Sequence, residues 1–171
     1  MTVTLVLGGA RSGKSAYAQA AVEAAAAKGG RPPVMIATAE ALDAEMTERI
    51  DRHRAERGDA WRTVEAPTAL THAVRGLRAG EAAALDCLTL WLSNLMLRGM
   101  AVETAVDDLL AALAATPAEL WVVSNEVGMG IVPENALARR FRDEAGRLNR
   151  RVAAQAERVV AVMAGLPLTL K

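Results

Sequence analysis

A glycine-rich stretch near the N-terminus constrains this chain more than any other segment. Residues 8–15 read Gly-Gly-Ala-Arg-Ser-Gly-Lys-Ser, between an apolar run at residues 3–7 and a long alanine-rich periodic segment. The spacing G-x-x-x-x-G-K-[ST] between a strand and a helix is that of a phosphate-binding loop. Its glycines let backbone N–H groups turn inward, and the helix N-terminus adds donors and a positive dipole end. An incidental glycine-rich turn would not need this context, so the segment predicts a site for a nucleoside triphosphate.

Two side chains of this loop and one beyond it predict a magnesium site. Lys14 can reach the β- and γ-phosphates, and the Ser15 hydroxyl can bind Mg²⁺. Such a site also needs an acidic group at the end of a neighbouring strand, and Asp86 closes the apolar run at residues 82–85. A strand-ending aspartate is also common in plain turns. Because the phosphate loop already requires a carboxylate, we predict Ser15 and Asp86 as metal ligands, directly or through water.

Short apolar runs alternate with longer periodic segments along the chain. Strands are predicted at residues 3–7, 34–37, 62–64, 82–86, 120–124, 159–163 and 168–170. Helices are predicted at residues 14–28, 43–57, 68–78, 89–97, 102–115 and 133–155. This alternation predicts an α/β fold, a three-layer P-loop NTPase with a mostly parallel central sheet. We expect a single domain over residues 1–171.

Composition and charge argue against several classes of protein. The 171 residues carry 20 basic and 20 acidic side chains, without the basic excess of a general nucleic-acid-binding protein. The single cysteine, Cys87, cannot form an intramolecular disulfide or a multi-cysteine zinc site. The chain has no apolar run of about 18 residues and no basic leader ahead of an apolar core. We therefore expect a cytoplasmic protein without a membrane span.

A charged segment at residues 43–57 contains a histidine between two arginines. On a helix, Arg49, His53 and Arg57 are four residues apart and share one face. Neighbouring guanidinium groups attract phosphates and disfavour the imidazolium form, and a neutral imidazole can attack phosphorus to give a phosphoramidate. On composition alone, a solvated charged helix with an incidental histidine is the simpler explanation.

A second distinctive segment follows the predicted strand at residues 120–124. Residues 125–135 read Asn-Glu-Val-Gly-Met-Gly-Ile-Val-Pro-Glu-Asn. Loops after the carboxyl ends of parallel strands form the ligand crevice of open α/β sheets. Two glycines and a proline fix the shape of this loop, and Asn125 and Glu126 offer polar contacts. A purely structural loop, with Pro133 near a helix start, is the alternative.

These segments together resemble one family, the bifunctional adenosylcobinamide kinase/adenosylcobinamide-phosphate guanylyltransferases of cobalamin biosynthesis. The phosphate loop is common to many families, whereas the loop at residues 125–135 and the segment around His53 are far more specific. The matching stretches follow the order of the family and occur at residues 8–15, 36–39, 43–57, 61–67, 85–95, 125–135 and 141–153.

The resemblance implies two reactions, a RecA-like sheet and a homotrimer. ATP or GTP phosphorylates the aminopropanol hydroxyl of adenosylcobinamide. GTP then guanylylates a histidine, which passes GMP to the new phosphate and gives adenosylcobinamide-GDP. The implied catalytic residues are His53 and Lys14. The implied nucleotide-binding residues are Gly8, Gly9, Ala10, Arg11, Ser12, Gly13, Lys14, Ser15, Ala37, Thr38, Ala39, Arg54, Ala55, Glu56, Arg57, Glu65 and Asp86.

Two other functions stay open at this level. A simple P-loop kinase for a small molecule would use the same loop, with His53 as a spectator or a phosphate ligand. A GTP-dependent switch would be expected to carry a guanine-specificity motif such as N-K-x-D, and the sequence contains none. Fast turnover on a corrinoid alone would favour the enzyme, whereas slow turnover that needs a protein partner would favour the switch.

Overall fold

The computed structural model describes residues 2–40, 44, 47–48, 55 and 58–171 of the chain. The strands described there are β1 (Thr2–Gly8), β2 (Val34–Ala37), β3 (Arg62–Glu65), β4 (Ala82–Asp86), β5 (Glu119–Asn125), β6 (Arg158–Met163) and β7 (Leu166–Thr169). The helices described there are α1 (Lys14–Gly29), α2 (Leu70–Arg75), α3 (Leu88–Leu97), α4 (Val102–Ala115) and α5 (Ala136–Gln155).

The described strands form one sheet in the order β3-β2-β4-β5-β1-β6-β7. Every neighbouring pair is parallel except β6 and β7, which are antiparallel. Parallel strands need crossover connections, and described helices lie on several of them, such as α1 between β1 and β2 and α5 between β5 and β6. The predicted α/β fold with a mostly parallel sheet is confirmed.

Helices cover both faces of this sheet. On one face, Ala18 of α1 packs with Val6 of β1 and Val123 of β5. On the other face, residues of α2, α3, α4 and α5 pack against Leu5 of β1 and Val122 of β5. Successive side chains of a strand point to opposite faces, so each central strand contributes to both layers of core. This burial on both sides explains why the central strands read as continuous apolar runs.

The strand register brings the functional segments to one edge of the sheet. Gly8 at the end of β1 pairs with Asn125 at the end of β5, and Asp86 at the end of β4 pairs with Val123. The strands are parallel, so their carboxyl ends meet at the same edge, where open α/β sheets bind ligands. β5 lies between β1 and β4 and separates the phosphate loop from Asp86.

Helix α2 is shorter than the predicted helix at residues 68–78. The residues before it use their carbonyl groups elsewhere: Asn94 Nδ2 donates to Pro67 O, and Trp91 Nε1 donates to Thr68 O. These bonds from α3 occupy carbonyl groups that a helix starting at residue 68 would use for its own hydrogen bonds, so the helix begins only at Leu70. The prediction of a longer helix was wrong at both ends.

The start of α5 and the last strand also differ from the prediction. The Asn135 side chain accepts hydrogen bonds from Leu137 N and Ala138 N, a cap worth about 1 kcal/mol, so the helix begins at Ala136 rather than at residue 133. The last strand is Leu166–Thr169 rather than residues 168–170, because it pairs with β6 directly after a tight turn.

The predicted helix at residues 43–57 lies mostly outside the described residues. None of the helices that the structure does describe combines the length and the hydropathy needed to cross a lipid bilayer.

Candidate nucleotide site

The phosphate loop connects β1 to α1 with a backbone that only glycine fits at two points. A Cβ atom on Gly8 would lie 2.4 Å from Ser12 Oγ and 2.7 Å from Val162 O. Gly13 has a φ of +94°, in the left-handed region that other residues rarely adopt, and a Cβ atom there would lie 3.3 Å from Gly165 Cα. The motif therefore needs glycine at these two positions for different reasons. Gly8 has no room for a Cβ atom, and Gly13 has a left-handed backbone conformation.

The turn between β6 and β7 is hydrogen-bonded to the phosphate loop and supports it. Gly165 N donates a hydrogen bond of 2.9 Å to Ser12 O, and the turn has positive φ angles at Ala164 and Gly165. This turn is not among the predicted site residues. An Ala-Gly pair between two apolar runs indicates a turn, but nothing in the sequence places it against residue 12.

Two polar groups of the loop point to an anionic ligand. Lys14 is only 8% exposed, and its Nζ donates to Gly9 O at 3.1 Å. Ser12 Oγ is buried without a hydrogen-bond partner among the described residues. Buried cations and hydroxyl groups are costly unless they are paired, so a phosphate group here would offset part of that cost.

The groups predicted to bind magnesium fit that metal. Ser15 lies in the first turn of α1 and Asp86 ends β4, and both are half-buried. Among the described residues, none donates a hydrogen bond to the Asp86 carboxylate or forms an ion pair with it. No cluster of three metal-binding side chains occurs in the described part of the chain. Mg²⁺ is commonly held by one or two protein oxygens together with substrate phosphates, which matches a sparse site of this kind.

Thr38 fixes the position of the strand end that carries Asp86. Its Oγ1 donates to Cys87 O at 2.8 Å and accepts from Cys87 N at 2.7 Å, and its backbone N donates to Asp86 O at 3.1 Å. Asn94 Nδ2 donates to Thr38 O at 2.9 Å. The Thr38 side chain is fully buried and committed to these bonds. Thr38 therefore contributes to the site by holding the strand end that carries Asp86. Its contact with a nucleotide stays a prediction.

The other predicted site residues that the structure describes lie along the same edge of the sheet or next to it. Ala37 ends β2 and pairs with both Glu65 and Asp86 in adjacent strands. Glu65 is exposed, and Ala39 is half-buried just after β2. The strand order therefore places Glu65, Ala37 and Asp86 in a row that continues through β5 to the phosphate loop.

A polar cluster beneath this edge was not predicted. Asn125 donates to Thr89 Oγ1 through its backbone N and through Nδ2, both at 2.9 Å. Thr89 Oγ1 donates in turn to Cys87 Sγ at 3.4 Å. Burial, followed by the negative charge of Asp86, raises the pKa of the Cys87 thiol, which disfavours the thiolate. Cys87 therefore serves as a hydrogen-bonding group here and is a poor candidate for a nucleophile.

The loop after β5 is fixed at its base and apolar at its tip. Glu126 N donates to Gly8 O at 3.1 Å, which ties the loop to the phosphate loop. Gly128 is held on both sides, since its N donates to Glu126 Oε1 and its O accepts from Arg142 Nη2, each at 2.6 Å. Beyond it, Met129 and Ile131 are 90% and 97% exposed. The loop therefore has a base fixed by hydrogen bonds and a tip with exposed apolar side chains.

Four of the predicted site residues lie outside the described residues: His53, Arg54, Glu56 and Arg57. Ala55 is described and is exposed. The structure therefore brings together the phosphate loop, Asp86 and the ends of the neighbouring strands.

Comparison with known proteins agrees with this arrangement. A KaiC-like protein from Pyrococcus horikoshii superposes with a TM-score of 0.52 over 94% of this chain and 70% of that chain, at 16% identity. This similarity concerns the fold alone and supports a P-loop NTPase sheet.

Sequence relatives are much closer. The bifunctional adenosylcobalamin biosynthesis protein CobP of Pseudomonas aeruginosa is 46% identical over 170 residues, covering 98% of this chain and 96% of the relative. The bifunctional adenosylcobalamin biosynthesis protein CobU of Salmonella typhimurium is 44% identical over 184 residues, covering 98% of each. A family model described as cobinamide kinase/cobinamide phosphate guanyltransferase matches residues 4–170. The resemblance found in the sequence motifs is confirmed, and the chain belongs to the cobinamide kinase/cobinamide phosphate guanyltransferase family.

Proposed function

We propose that this chain phosphorylates adenosylcobinamide with ATP or GTP and then transfers GMP from GTP to the product, giving adenosylcobinamide-GDP. The observation that carries this proposal is the meeting of the phosphate loop and Asp86 at one edge of the sheet, in a chain that belongs to a family named for both reactions. One domain over residues 1–171 would carry both activities. Its nucleotides are cytoplasmic metabolites, so we expect it to act there.

In the first reaction, the chain would mainly position the triphosphate and neutralise its negative charge. Backbone N–H groups of residues 8–15 and the Lys14 ammonium would bind the triphosphate, where charge develops as the γ-phosphoryl group moves. The Ser15 hydroxyl and the Asp86 carboxylate would hold Mg²⁺, which would supply positive charge to neutralise the triphosphate. The buried position of Lys14 and the unpartnered Ser12 Oγ support a phosphate at this place.

In the second reaction, His53 would act as the covalent nucleophile. A neutral imidazole nitrogen would form a bond to the α-phosphorus of GTP while the bond to pyrophosphate breaks. The phosphate of adenosylcobinamide phosphate would then displace the histidine and take the GMP. Arg54 and Arg57 would stabilise the phosphate charge.

Of the two histidines in the chain, only His53 suits this role. His72 lies in α2, and the apolar residues of α2 pack in the core on the sheet face opposite α1 and the phosphate loop. The His53 assignment depends on the family resemblance of residues 43–57.

We also propose that the active assembly is a homotrimer. Four apolar side chains at this edge of the sheet are each more than half exposed: Met163 at the end of β6, Leu166 and Leu168 in β7, and Leu170 just after it. An apolar edge strand invites pairing or coverage by another chain. Sedimentation equilibrium should give about three times the 18.0 kDa mass of one chain, and a monomer at micromolar concentration would contradict the trimer.

Labelled GTP tests the two-step function directly. Wild-type protein incubated with α-labelled GTP should retain label after denaturation, and the adduct should be labile to acid and stable to alkali, as a phosphoramidate is. His53→Asn should take up no label and should still transfer γ-phosphate to adenosylcobinamide, since the phosphate-loop residues are unchanged.

His72→Asn is the matched control and should label like the wild type. If His53→Asn still labels fully, the nucleophile is another residue. If the wild-type protein phosphorylates the corrinoid but takes up no label, a plain kinase becomes the better description.

A further inference from the structure

Asn125 occupies the gap between the phosphate loop and Asp86. It ends β5, the strand that lies between β1 and β4, and it pairs with Gly8 in the strand register. Two residues earlier, Val123 packs with Ala18 of α1. Alternate residues of a strand share a face, so the Asn125 side chain lies on the same side of the sheet as α1 and the phosphate loop.

Asp86 shares that face. Ala84, two residues before it in β4, packs with Val22 and Ala26 of α1. By the same alternation, the Asp86 carboxylate lies on the α1 side of the sheet. The Asn125 carboxamide is therefore placed between the predicted metal ligand and the loop that binds the transferred phosphate.

A buried hydroxyl fixes which end of this carboxamide faces the site. Thr89 is 4% exposed, and its single hydroxyl proton is donated to Cys87 Sγ. Its oxygen is then available only as an acceptor, and it accepts from both the backbone N and Nδ2 of Asn125. The amino end of the carboxamide faces Thr89, so the carbonyl oxygen Oδ1 is at the opposite end. No residue that the structure describes donates a hydrogen bond to Oδ1.

A neutral, oriented acceptor in this place suits an attacking alcohol. A carboxylate so close to a triphosphate would add like charge, whereas an amide oxygen can accept a hydrogen bond without that cost. Phosphoryl transfer depends mostly on positioning the nucleophile in line with the γ-phosphorus.

We propose that Asn125 Oδ1 accepts a hydrogen bond from the attacking hydroxyl group of the phosphoryl acceptor, and that Thr89 positions the carboxamide for this contact. This inference rests on the kinase reaction of the proposed function. In the step, the hydroxyl oxygen forms a bond to the γ-phosphorus as the bond from that phosphorus to the bridging oxygen breaks. The nucleoside diphosphate leaves with the electron pair, and the hydroxyl proton passes to solvent. Asn125 orients the hydroxyl and neither gains nor loses a proton.

The test is steady-state kinetics of corrinoid phosphorylation with γ-labelled ATP, with nucleotide affinity measured separately by a fluorescent ATP analogue. Asn125→Ala should lower kcat about 100-fold, the scale of effect expected when a reacting group is misplaced by about 1 Å. Its nucleotide Kd should stay within about twofold of the wild-type value, because the phosphate-loop ligands are unchanged. Thr89→Val should lower kcat about tenfold, and Thr89→Ser, which keeps the hydroxyl, should restore most of it.

Asn149→Ala is the structural control. Asn149 Nδ2 donates to Asn125 O, so this change loosens the same strand end and leaves the Asn125 side chain intact. It should lower the melting temperature and change kcat by less than about threefold. Equal losses of kcat in Asn149→Ala and Asn125→Ala would overturn the inference, as would a wild-type kcat in Asn125→Ala. Absence of corrinoid phosphorylation by the wild-type protein would overturn the proposed function itself.

Discussion

The backbone oxygen of Ser12 accepts a hydrogen bond of 2.9 Å from Gly165 N, which joins the phosphate loop to the turn between β6 and β7. These two residues are 153 positions apart in the chain. The bond holds the loop on the side away from the neighbouring strand β5. The phosphate loop is therefore supported by the same part of the chain that presents the apolar edge strand β7.

This relationship predicts that Gly165→Ala weakens nucleotide binding. Gly165 has a φ of +79°, so an alanine there is strained by about 1–2 kcal/mol and shifts the turn that holds Ser12. Gly99→Ala is the matched control, since Gly99 has a φ of +64° and lies after α3, away from the site. Both variants should lose similar unfolding free energy in urea, but only Gly165→Ala should raise the nucleotide Kd severalfold. Equal nucleotide affinities of the two variants would show that the contact between Gly165 and Ser12 is not needed for nucleotide binding.

Gly8→Ala should destabilise the fold as well as the site. The added Cβ atom would meet Val162 O, a backbone atom of β6 that cannot rotate away, at 2.7 Å. We expect a loss of about 1–3 kcal/mol of unfolding free energy, measured by chemical denaturation. Gly9→Ala serves as the comparison, because a Cβ atom there would have no neighbour within 4 Å. A Gly8→Ala protein as stable as Gly9→Ala would contradict the close approach of β6.

Lys14→Ala should remove nucleotide-dependent catalysis in both reactions. The ammonium group is buried in the phosphate loop, and its loss takes away charge that would stabilise the transferring group. We expect kcat to fall about 100-fold or more, in both the γ-phosphate and the GMP transfer assays. Lys28→Ala, in the exposed last turn of the same helix, should leave both rates unchanged. Wild-type rates for Lys14→Ala in either assay would assign that reaction to another phosphate site.

Asp86→Asn should weaken magnesium-dependent turnover more than folding. Asparagine keeps the size of the side chain and removes the charge that a hard divalent cation prefers. The Mg²⁺ concentration for half-maximal rate should rise, with little change in melting temperature. Glu119→Gln removes a charge at the opposite end of the sheet, where Glu119 pairs with Ala82, and should leave the titration unchanged. An unaltered Mg²⁺ titration for Asp86→Asn would exclude it from the metal site.

Strongly patterned segments were predicted to the residue. The structure confirms the predicted bounds of β2, β4 and α4, which are Val34–Ala37, Ala82–Asp86 and Val102–Ala115. In each of them the apolar pattern ends abruptly, so the local sequence is sufficient to predict where the element ends. The predicted start of α2 was wrong because side chains from α3, more than 20 residues later, donate hydrogen bonds to the carbonyl groups of Pro67 and Thr68.

In the candidate site too, some residues were predictable from local sequence and others depended on distant contacts. The phosphate loop and Asp86 were found because their chemistry requires particular residue types beside particular elements. Thr89 was missed, since a threonine in the first turn of a helix has no distinctive signal until Asn125 is brought within 2.9 Å of it. The loop at residues 125–135 had two explanations. The structure shows a bonded base at Gly128 and an exposed tip at Ile131, and the role in ligand binding stays a prediction.

The sequence by itself determined the α/β class, the phosphate loop and the family, because strand and helix periodicity and contiguous motifs are local properties of the chain. Only the tertiary structure decided that β5 lies between β1 and β4, that Gly165 supports Ser12, and that Asn125 faces the gap beside Asp86. These relationships join residues far apart in sequence. They depend on strand order and register, which are set by how all the apolar faces pack together rather than by any one segment.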